Sequence, residues 1–265
     1  CITNVGTSHI GELGSRENIL KAKLEITDGM KEGSTLIINQ DNDMLQTVEL
    51  PHLNVVRVGK GKEASIQASH IVLEETKSSF EVEYQGKKEI IEVPVQGEHN
   101  ISNALIAIAV GIELNISLED IKKGIQEFKL TKNRMDILEK NHKTVIDGTY
   151  NASVDSMKSS IDVLANYKKR KVAILADMLE LGDYSQQLHE EVGSYVASKG
   201  IDILVCVGKE AKYIYQKAKE NMKDVYYFES NQEVIARLDE LLKEDDVILV
   251  KGSHSMNLKE VVEKI

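Results

Sequence analysis

Two asparagines at the start of a predicted helix are spaced to contact one ligand. Asn100 and Asn103, in "GEHNISNALIAIAVG", are three residues apart and therefore lie on one helix face. A primary amide offers both a donor and an acceptor, which suits the mixed edge of an adenine. The spacing is equally compatible with one amide that caps the helix and another that is merely exposed.

Two predicted strand ends carry polar groups that could contact a nucleotide or a carboxylate. Asp147 ends one strand, in "VIDGTYNASVDSMKSSI", and a helix is predicted to begin near Ser153. An acid at that position can accept both hydroxyls of a ribose, and the free helix N–H groups suit an anion. A simple turn-forming role is a serious alternative for Asp147. Lys251 and Ser253 end another strand and could bind a carboxylate, although Lys251 could equally be a solvated strand end.

A lysine on a predicted helix over residues 15–31 has an unusual setting. The neighbours of Lys23 at positions −4, −3 and +3 are Ile19, Leu20 and Ile26. This pattern directs its amine toward the core side, where burial favours the neutral, reactive form of an amine. Without further context the pattern favours a lysine whose ammonium reaches water along its apolar stem. His9, a lone histidine in a predicted turn, is by itself more typical of a structural hydrogen-bonding group than of a metal ligand.

The second half of the chain predicts a mostly parallel sheet. From about residue 135, short apolar runs alternate with amphipathic stretches of helical length. Because the carboxyl ends of parallel strands share one edge, the connections that follow them should form the working edge. These connections are "DGTYNAS", "ADMLELGDYS", "GKE", "ESNQ" and "KGSHSM".

The first half is less regular. "STLIIN" predicts a strand, and residues 53–95 alternate between apolar and polar as antiparallel strands do. Helices are predicted at about 100–114 and 117–127, the second capped by Ser117. We therefore predict two domains, 1–132 and 133–265.

Composition excludes several classes of protein. The 265 residues carry a net charge of −10 without a basic stripe, which argues against nucleic-acid partners. No apolar run reaches membrane-spanning length, and two cysteines provide neither a disulfide framework nor a cysteine-based metal site. We expect no membrane insertion and a cytoplasmic location. The sequence contains no phosphate-cradling P-loop. It also has no G-x-G-x-x-G motif after a strand, which argues against a dinucleotide oxidoreductase.

The motifs occur in an order that resembles the Mur ligase family. The matching segments are "TNVGTSHIGELGSRENILKAKLEI", "GEHNISNALIAIAVG", "NRMD", "VIDGTYNASVDSMKSSI", "LADMLELGDYSQQLHEEVG" and "LVKGSHSM". The resemblance implies an α/β fold: part of the central ATPase domain, with a mixed sheet plus helices, followed by a Rossmann-like C-terminal domain with a mostly parallel sheet. It also implies that this chain is a fragment that begins within the central ATPase domain, so that the family's N-terminal domain and P-loop would lie upstream of residue 1.

The resemblance implies an ATP-dependent ligase of peptidoglycan precursor synthesis. "DMLELG" with the following S-x-x-x-H, and "YNA", are most similar to the member that adds D-Ala-D-Ala to UDP-MurNAc-tripeptide through an acyl phosphate. Other Mur-type ligases, folylpolyglutamate-type ligases and a non-catalytic nucleotide-binding module remain alternatives. We expect the full-length protein to be a monomer and this chain alone to be inactive, because it has no phosphate-cradling motif.

The resemblance also assigns roles to individual residues. Lys23 would carry a CO2-derived carbamate that helps to bind one of two Mg²⁺ ions, and His9 would assist that metal. Arg134 would reach the ATP phosphates, so His9, Lys23 and Arg134 form the expected catalytic set. The residues expected to contact ATP and the amine substrate are as follows: Asn100 and Asn103 at the adenine, Asp147 at the ribose, and Tyr150, Asn151, Lys251 and Ser253 at the substrate.

Overall fold

The chain forms two compact units, each with its own sheet. A computed structural model describes residues 1–84, 86–129 and 134–265. The first unit comprises Cys1–Gly6 and Leu13–Lys129, and the second comprises Thr7–Glu12 and Leu130–Ile265. The predicted domain boundary between residues 132 and 133 lies outside the described residues.

The first 129 residues supply four helices and five strands, as far as the structure describes them. In chain order they are α1 (Ile10–Leu13), α2 (Arg16–Leu24), β1 (Thr35–Asn39), β2 (Asn54–Gly59), β3 (Ile66–Leu73), β4 (Ser78–Tyr84), β5 (Lys87–Val93), α3 (Glu98–Glu113) and α4 (Leu118–Gln126). Helix α2 is shorter than the predicted span of 15–31, because a 3-10 turn at Glu25–Thr27 follows Leu24. Ser117 caps α4 as predicted, since its side chain accepts a hydrogen bond from the Asp120 N–H.

The first sheet is mixed, with strand order β1-β2-β3-β4-β5. The antiparallel prediction is correct for β3, β4 and β5 but wrong for β2, which is parallel to both β1 and β3. Strand β3 pairs with β2 only through Val58↔Ile66 and Gly59↔Gln67. Because β3 begins beside the end of β2 and continues beyond it, a short connection replaces the long crossover that parallel strands usually need.

The second unit adds six strands and five helices within the described residues. They are β6 (Asp136–Lys140), β7 (Lys143–Gly148), α5 (Val154–Ala165), β8 (Lys171–Ala176), α6 (Ser185–Ala197), β9 (Ile203–Val207), α7 (Ala211–Ala218), β10 (Val225–Phe228), α8 (Asn231–Leu241), β11 (Val247–Lys251) and α9 (Lys259–Lys264). The order is β10-β9-β8-β11-β7-β6, and all neighbours are parallel except β6 and β7. The predicted parallel sheet is confirmed, with β6 as an additional antiparallel edge strand.

The central strands of this sheet are buried along their whole length. Every residue of β9 and of β11 is buried, as expected for parallel strands covered on both faces. Cys206 in β9 is completely buried, and burial raises the pKa of its thiol. Cys206 therefore acts as a small buried apolar residue.

The helices are those of a globular α/β protein. Helix α3 spans 16 residues and packs Ile101, Leu105 and Ile108 into the core of the first unit. Over the residues that the structure describes, none of the helices combines the length and the apolar composition that crossing a membrane would require.

Candidate active site

A cleft of about 350 Å³ lies at the carboxyl edge of the second sheet. It is bounded by the connections that follow β7, β8 and β11, which are neighbours in the sheet, and by the segment Thr7–Glu12. All of its lining residues belong to the second unit: Ser8, His9, Tyr150, Asn151, Ala152, Ser153, Leu179, Glu180, Leu181, Ser253, His254 and Ser255. The predicted working edge therefore carries a concave site.

The connection after β7 is shaped by Asp147. Its Oδ1 accepts hydrogen bonds from the Thr149 N–H, at 3.0 Å, and from the Thr149 hydroxyl, at 2.7 Å. Asp147 is buried, whereas Tyr150 in the same connection is 45% exposed. The turn-forming alternative for Asp147 is thus present in the structure, and it leaves Oδ2 as the carboxylate oxygen for any further partner.

Lys251 is a buried amine at the end of β11 and not a solvated strand end. Its Nζ donates to the Asn151 carbonyl oxygen at 2.9 Å, and the Gly148 carbonyl oxygen lies at 3.5 Å. Burial lowers the pKa of Lys251 to about 8, the nearby charge of Arg134 acts in the same direction, and Asp147 opposes both. The ammonium therefore holds the β7–α5 connection from beneath the cleft.

Arg134 and Tyr150 form a cation–π pair beside the cleft. The Arg134 Cζ lies 3.8 Å from the centroid of the Tyr150 ring. Arg134 is exposed. Tyr150 also contacts the ring of His254, with centroids 6.3 Å apart. This stack keeps a permanent positive charge at the working edge.

Another wall of the cleft is the connection after β8, which is hydrogen-bonded to the connection after β11. The Ser253 N–H donates to the Asp177 carbonyl oxygen at 3.0 Å. In return the Leu179 N–H donates to Ser253 Oγ at 2.9 Å. Ser253 is buried, and its hydroxyl oxygen is the acceptor of this hydrogen bond. Two loops that the sequence separates by more than seventy residues are thereby joined into one rim.

The segment Thr7–Glu12 completes the rim. The Gly11 N–H donates to the Glu180 carbonyl oxygen at 3.0 Å, and His9 Nδ1 lies 2.5 Å from Glu180 Oε2. The approach is so close that a Cβ on Gly11 would lie 2.5 Å from the Gly182 nitrogen. His9 thus enters the same cleft as Tyr150 and Ser253, although its carboxylate partner was not predicted.

Lys23 does not lie on the core side, and its exposure agrees with the alternative of an ammonium that reaches water. Lys23 is exposed, and Ile26, the neighbour expected to bury it, is 57% exposed. The reason is that α2 ends at Leu24, so the 3-10 turn carries Ile26 off the apolar face of the helix. His9 and Lys23 belong to different units. No cluster of three or more His, Cys, Asp or Glu side chains suited to a metal occurs in residues 1–84, 86–129 and 134–265.

The two asparagines of α3 have unlike settings. Asn100 is buried, and its Nδ2 donates to the Gln96 carbonyl oxygen at 2.8 Å. Asn103 is exposed. The Asn100 amide is thus hydrogen-bonded to the local backbone, whereas the Asn103 amide faces solvent. This arrangement is close to the alternative of one local hydrogen-bonding amide and one merely exposed amide.

Sequence reasoning assigned no role to His189, Asp177 or Glu210. His189 is completely buried beneath the β8–α6 connection, where its Nε2 accepts a hydrogen bond from the Met178 N–H at 2.9 Å. Asp177 Oδ1 accepts the N–H groups of Glu210 and Ala211, at 3.0 and 2.7 Å. The spacing of Ser185 and His189, four residues apart on a helix, was the feature that could have indicated a shared function.

The sequence matches two domain families of one enzyme class. Residues 1–111 match the Mur ligase middle domain, and residues 133–254 match the family described as Mur ligase, glutamate ligase domain. The chain belongs to the Mur ligase family.

Relatives of this Mur ligase chain have similar sequences and folds. The UDP-N-acetylmuramoyl-tripeptide--D-alanyl-D-alanine ligase of Bacillus subtilis (strain 168) is 34% identical over 270 residues, covering 100% of this chain and 58% of the relative. A crystal structure of MurF from Acinetobacter baumannii superposes with a TM-score of 0.90 at 29% identity, over 98% of this chain and 58% of that one. The structure of a Thermotoga maritima MurF ligase in complex with ADP has a TM-score of 0.85 at 23% identity, covering 99% and 61%.

The Mur ligase chain thus spans about 58% of the length of the Bacillus subtilis relative. The predicted fold class, a mixed-sheet unit followed by a unit with a mostly parallel sheet, is confirmed.

Proposed function

We propose that this chain belongs to a ligase that joins D-Ala-D-Ala to UDP-MurNAc-tripeptide with consumption of ATP. In this proposal residues 1–132 are the latter part of the central ATP-binding domain, and residues 133–265 are the domain for the amine substrate. The observation that carries the proposal is the match along the whole chain to relatives named for this activity. The cleft at the carboxyl edge of the second sheet supports it, because its volume of about 350 Å³ suits a small peptide.

The proposed reaction has two steps. The γ-phosphoryl group of ATP is transferred to the terminal carboxylate of the tripeptide, which gives an acyl phosphate and ADP. The unprotonated amine of D-Ala-D-Ala then attacks the acyl carbon, and phosphate leaves from the tetrahedral intermediate as the amide forms. This chemistry depends on positioning and charge stabilisation and needs no protein nucleophile.

The nucleotide-binding roles fit some of the predicted residues better than others. Arg134 is exposed at the working edge with its guanidinium held by Tyr150, which suits a group that must reach phosphate oxygens. Asp147 has Oδ2 left for a ribose hydroxyl, and Asn103 has an exposed amide for adenine. Asn100 can contribute its amide oxygen and one N–H, because its other N–H donates to the Gln96 carbonyl oxygen. The ADP complex of the Thermotoga maritima relative supports nucleotide use.

The proposal also includes two Mg²⁺ ions, with His9 and a carbamate on Lys23 as contributors. The described side chains do not fit this role by themselves, because they bring together no set of three metal ligands. The test is bicarbonate dependence: stimulation of the wild-type enzyme that is absent in Lys23→Ala would support the carbamate, and an equally active variant would exclude it.

Coupled ADP release by the complete gene product tests the function. We expect release to require both UDP-MurNAc-tripeptide and D-Ala-D-Ala, and mass spectrometry should detect the pentapeptide product. Release with another amino acid but not with D-Ala-D-Ala would indicate a different Mur-type or a folylpolyglutamate-type ligase. Nucleotide binding without any release would indicate a non-catalytic module.

A charge variant tests the site within the same assay. Arg134→Ala should lower kcat at least about tenfold, because a permanent positive charge near the phosphates is lost. Arg237→Ala is a matched control, since Arg237 is exposed and forms an ion pair with Glu240 on the same helix. Equal kcat values for the two variants would contradict the role proposed for Arg134.

A further inference from the structure

His189 is held in one tautomer by its hydrogen bonds. Its Nδ1 lies 2.7 Å from the Ser185 carbonyl oxygen, and its Nε2 lies 2.9 Å from the Met178 backbone nitrogen. A backbone N–H can only donate and a carbonyl oxygen can only accept. Nε2 is therefore the unprotonated acceptor, and Nδ1 carries the proton.

The hydrogen bond from Met178 fixes the loop that forms one wall of the cleft. Met178 is immediately followed by Leu179, Glu180 and Leu181, which line the cleft. Met178 and His189 are both buried, so water cannot replace the acceptor. If the imidazole were lost, the Met178 N–H would lose its partner and the loop would lose one of its anchors.

Burial has a larger effect on the pKa of His189 than the two acids beside it. Asp177 and Glu210 both favour the imidazolium, but burial lowers the pKa of His189 more strongly. Both acids also have partners of their own: Asp177 Oδ1 accepts two N–H groups at the start of α7, and Glu210 Oε2 accepts the Ser185 hydroxyl at 2.6 Å. His189 therefore remains a neutral acceptor at neutral pH.

We propose that His189 is a positioning residue that holds the Met178–Leu181 loop in the geometry needed to bind the incoming amine. Ser185 is its partner, one helical turn earlier, and this explains the S-x-x-x-H spacing after "DMLELG". The inference rests on the proposed function, because it assigns the loop to the amine substrate and not to ATP.

Two variants of the complete gene product test this role. His189→Leu removes the acceptor and should raise KM for D-Ala-D-Ala at least about tenfold, with little change in KM for ATP. His189→Gln can present an oxygen near the position of Nε2 and should restore KM to within a fewfold of the wild-type value. Equal impairment of both variants, or a wild-type KM in His189→Leu, would overturn the proposal.

Two measurements that need no turnover separate this inference from the proposed function. The ¹⁵N chemical shifts of His189 at pH 7.5 should show one protonated nitrogen, Nδ1, and one unprotonated nitrogen, Nε2. Hydrogen exchange at the Met178 amide should be slow in the wild-type protein and in His189→Gln and faster in His189→Leu. An imidazolium, the opposite tautomer, or unchanged exchange in His189→Leu would refute the positioning role even if ligase activity is present. Absence of D-Ala-D-Ala-dependent ADP release together with these expected results would overturn the substrate assignment alone.

Discussion

At the scale of single residues, the site depends on buried polar side chains. Lys251, His189 and Asp147 are all buried beneath the cleft, and each has a named backbone partner. These side chains shape the loops, whereas Tyr150 and His9 face the cleft. The distinction matters for function because a buried partner can be replaced only by a group with the same hydrogen-bonding capacity.

Lys251 should make stability depend on pH in the alkaline range. Burial lowers its pKa to about 8 in the folded chain, whereas the pKa of a lysine in an unfolded chain is about 10.4. Between these values the unfolded chain binds more protons, so the free energy of unfolding rises with pH through this window. Below about pH 8 both states are protonated, and the cost of burying the ammonium is present in full.

The measurement is urea unfolding from pH 7 to 10.5 for the wild-type protein and Lys251→Met. The difference between their unfolding free energies should shift in favour of the wild type as pH rises, by on the order of 3 kcal/mol. Lys223→Met serves as the control, because Lys223 is exposed. If the unfolding free energies of the wild type and Lys251→Met changed in parallel with pH, the lowered pKa of Lys251 would be excluded as a source of the pH dependence.

At the scale of elements, the rim of the cleft is assembled from loops that meet backbone to backbone. Gly11, in the segment Thr7–Glu12, contacts Glu180 and Gly182 in the connection after β8. Gly182 has a φ of 54°, in the left-handed region where glycine is favoured. The close approach places His9 beside Glu180, so the geometry of an ionisable pair depends on two glycines.

Gly11→Ala should therefore loosen the rim. The added methyl group would meet backbone atoms of Glu180, Leu181 and Gly182 at 2.5 to 2.8 Å, and backbone cannot rotate away as a side chain can. We expect a loss of about 1–3 kcal/mol and faster hydrogen exchange in Thr7–Glu12. Gly29→Ala is the matched control, since nothing lies within 4 Å of its Cβ position. Equal stability and exchange in both variants would show that the contact is not tight.

At the scale of the whole molecule, the described residues of each unit include a buried apolar cluster. One includes Phe80, Ile91 and Leu105 between the mixed sheet and α3, and the other includes Ile174, Val205 and Ile248 of the parallel sheet. All residues of each cluster belong to a single unit. The stability of the strands in each unit should consequently depend on that unit's apolar contacts.

Core truncations should act on one unit at a time. Phe80→Ala should accelerate amide exchange in β3, β4 and β5, and Ile174→Ala in β8, β9 and β11, because each removes about 2–5 kcal/mol of packing. Hydrogen-exchange mass spectrometry resolves the two sets of peptides. Faster exchange in both sheets after either substitution would show that the units unfold as one.

Local sequence was sufficient for most of the architecture. The strands of the second sheet were predictable because strands buried on both faces are continuous apolar runs, and helices such as α4 and α5 begin at serine caps. The apolar strand runs also predicted the working edge, and the resemblance of motifs such as "NRMD" and "DMLELG", in their order along the chain, indicated the family. Strand β6 and the parallel pairing of β2 were missed because neither an edge strand nor strand direction has a distinct local pattern.

Tertiary structure alone decided the environment of each polar group. Lys251 and Lys23 are both lysines next to apolar residues, yet the first is buried under the β7–α5 connection and the second is exposed where its helix ends. His189 meets Met178, and His9 meets Glu180, through contacts that no periodicity encodes. Periodicity fixes which face of an element is apolar, but burial, protonation and hydrogen-bond partners depend on what other elements place against that face.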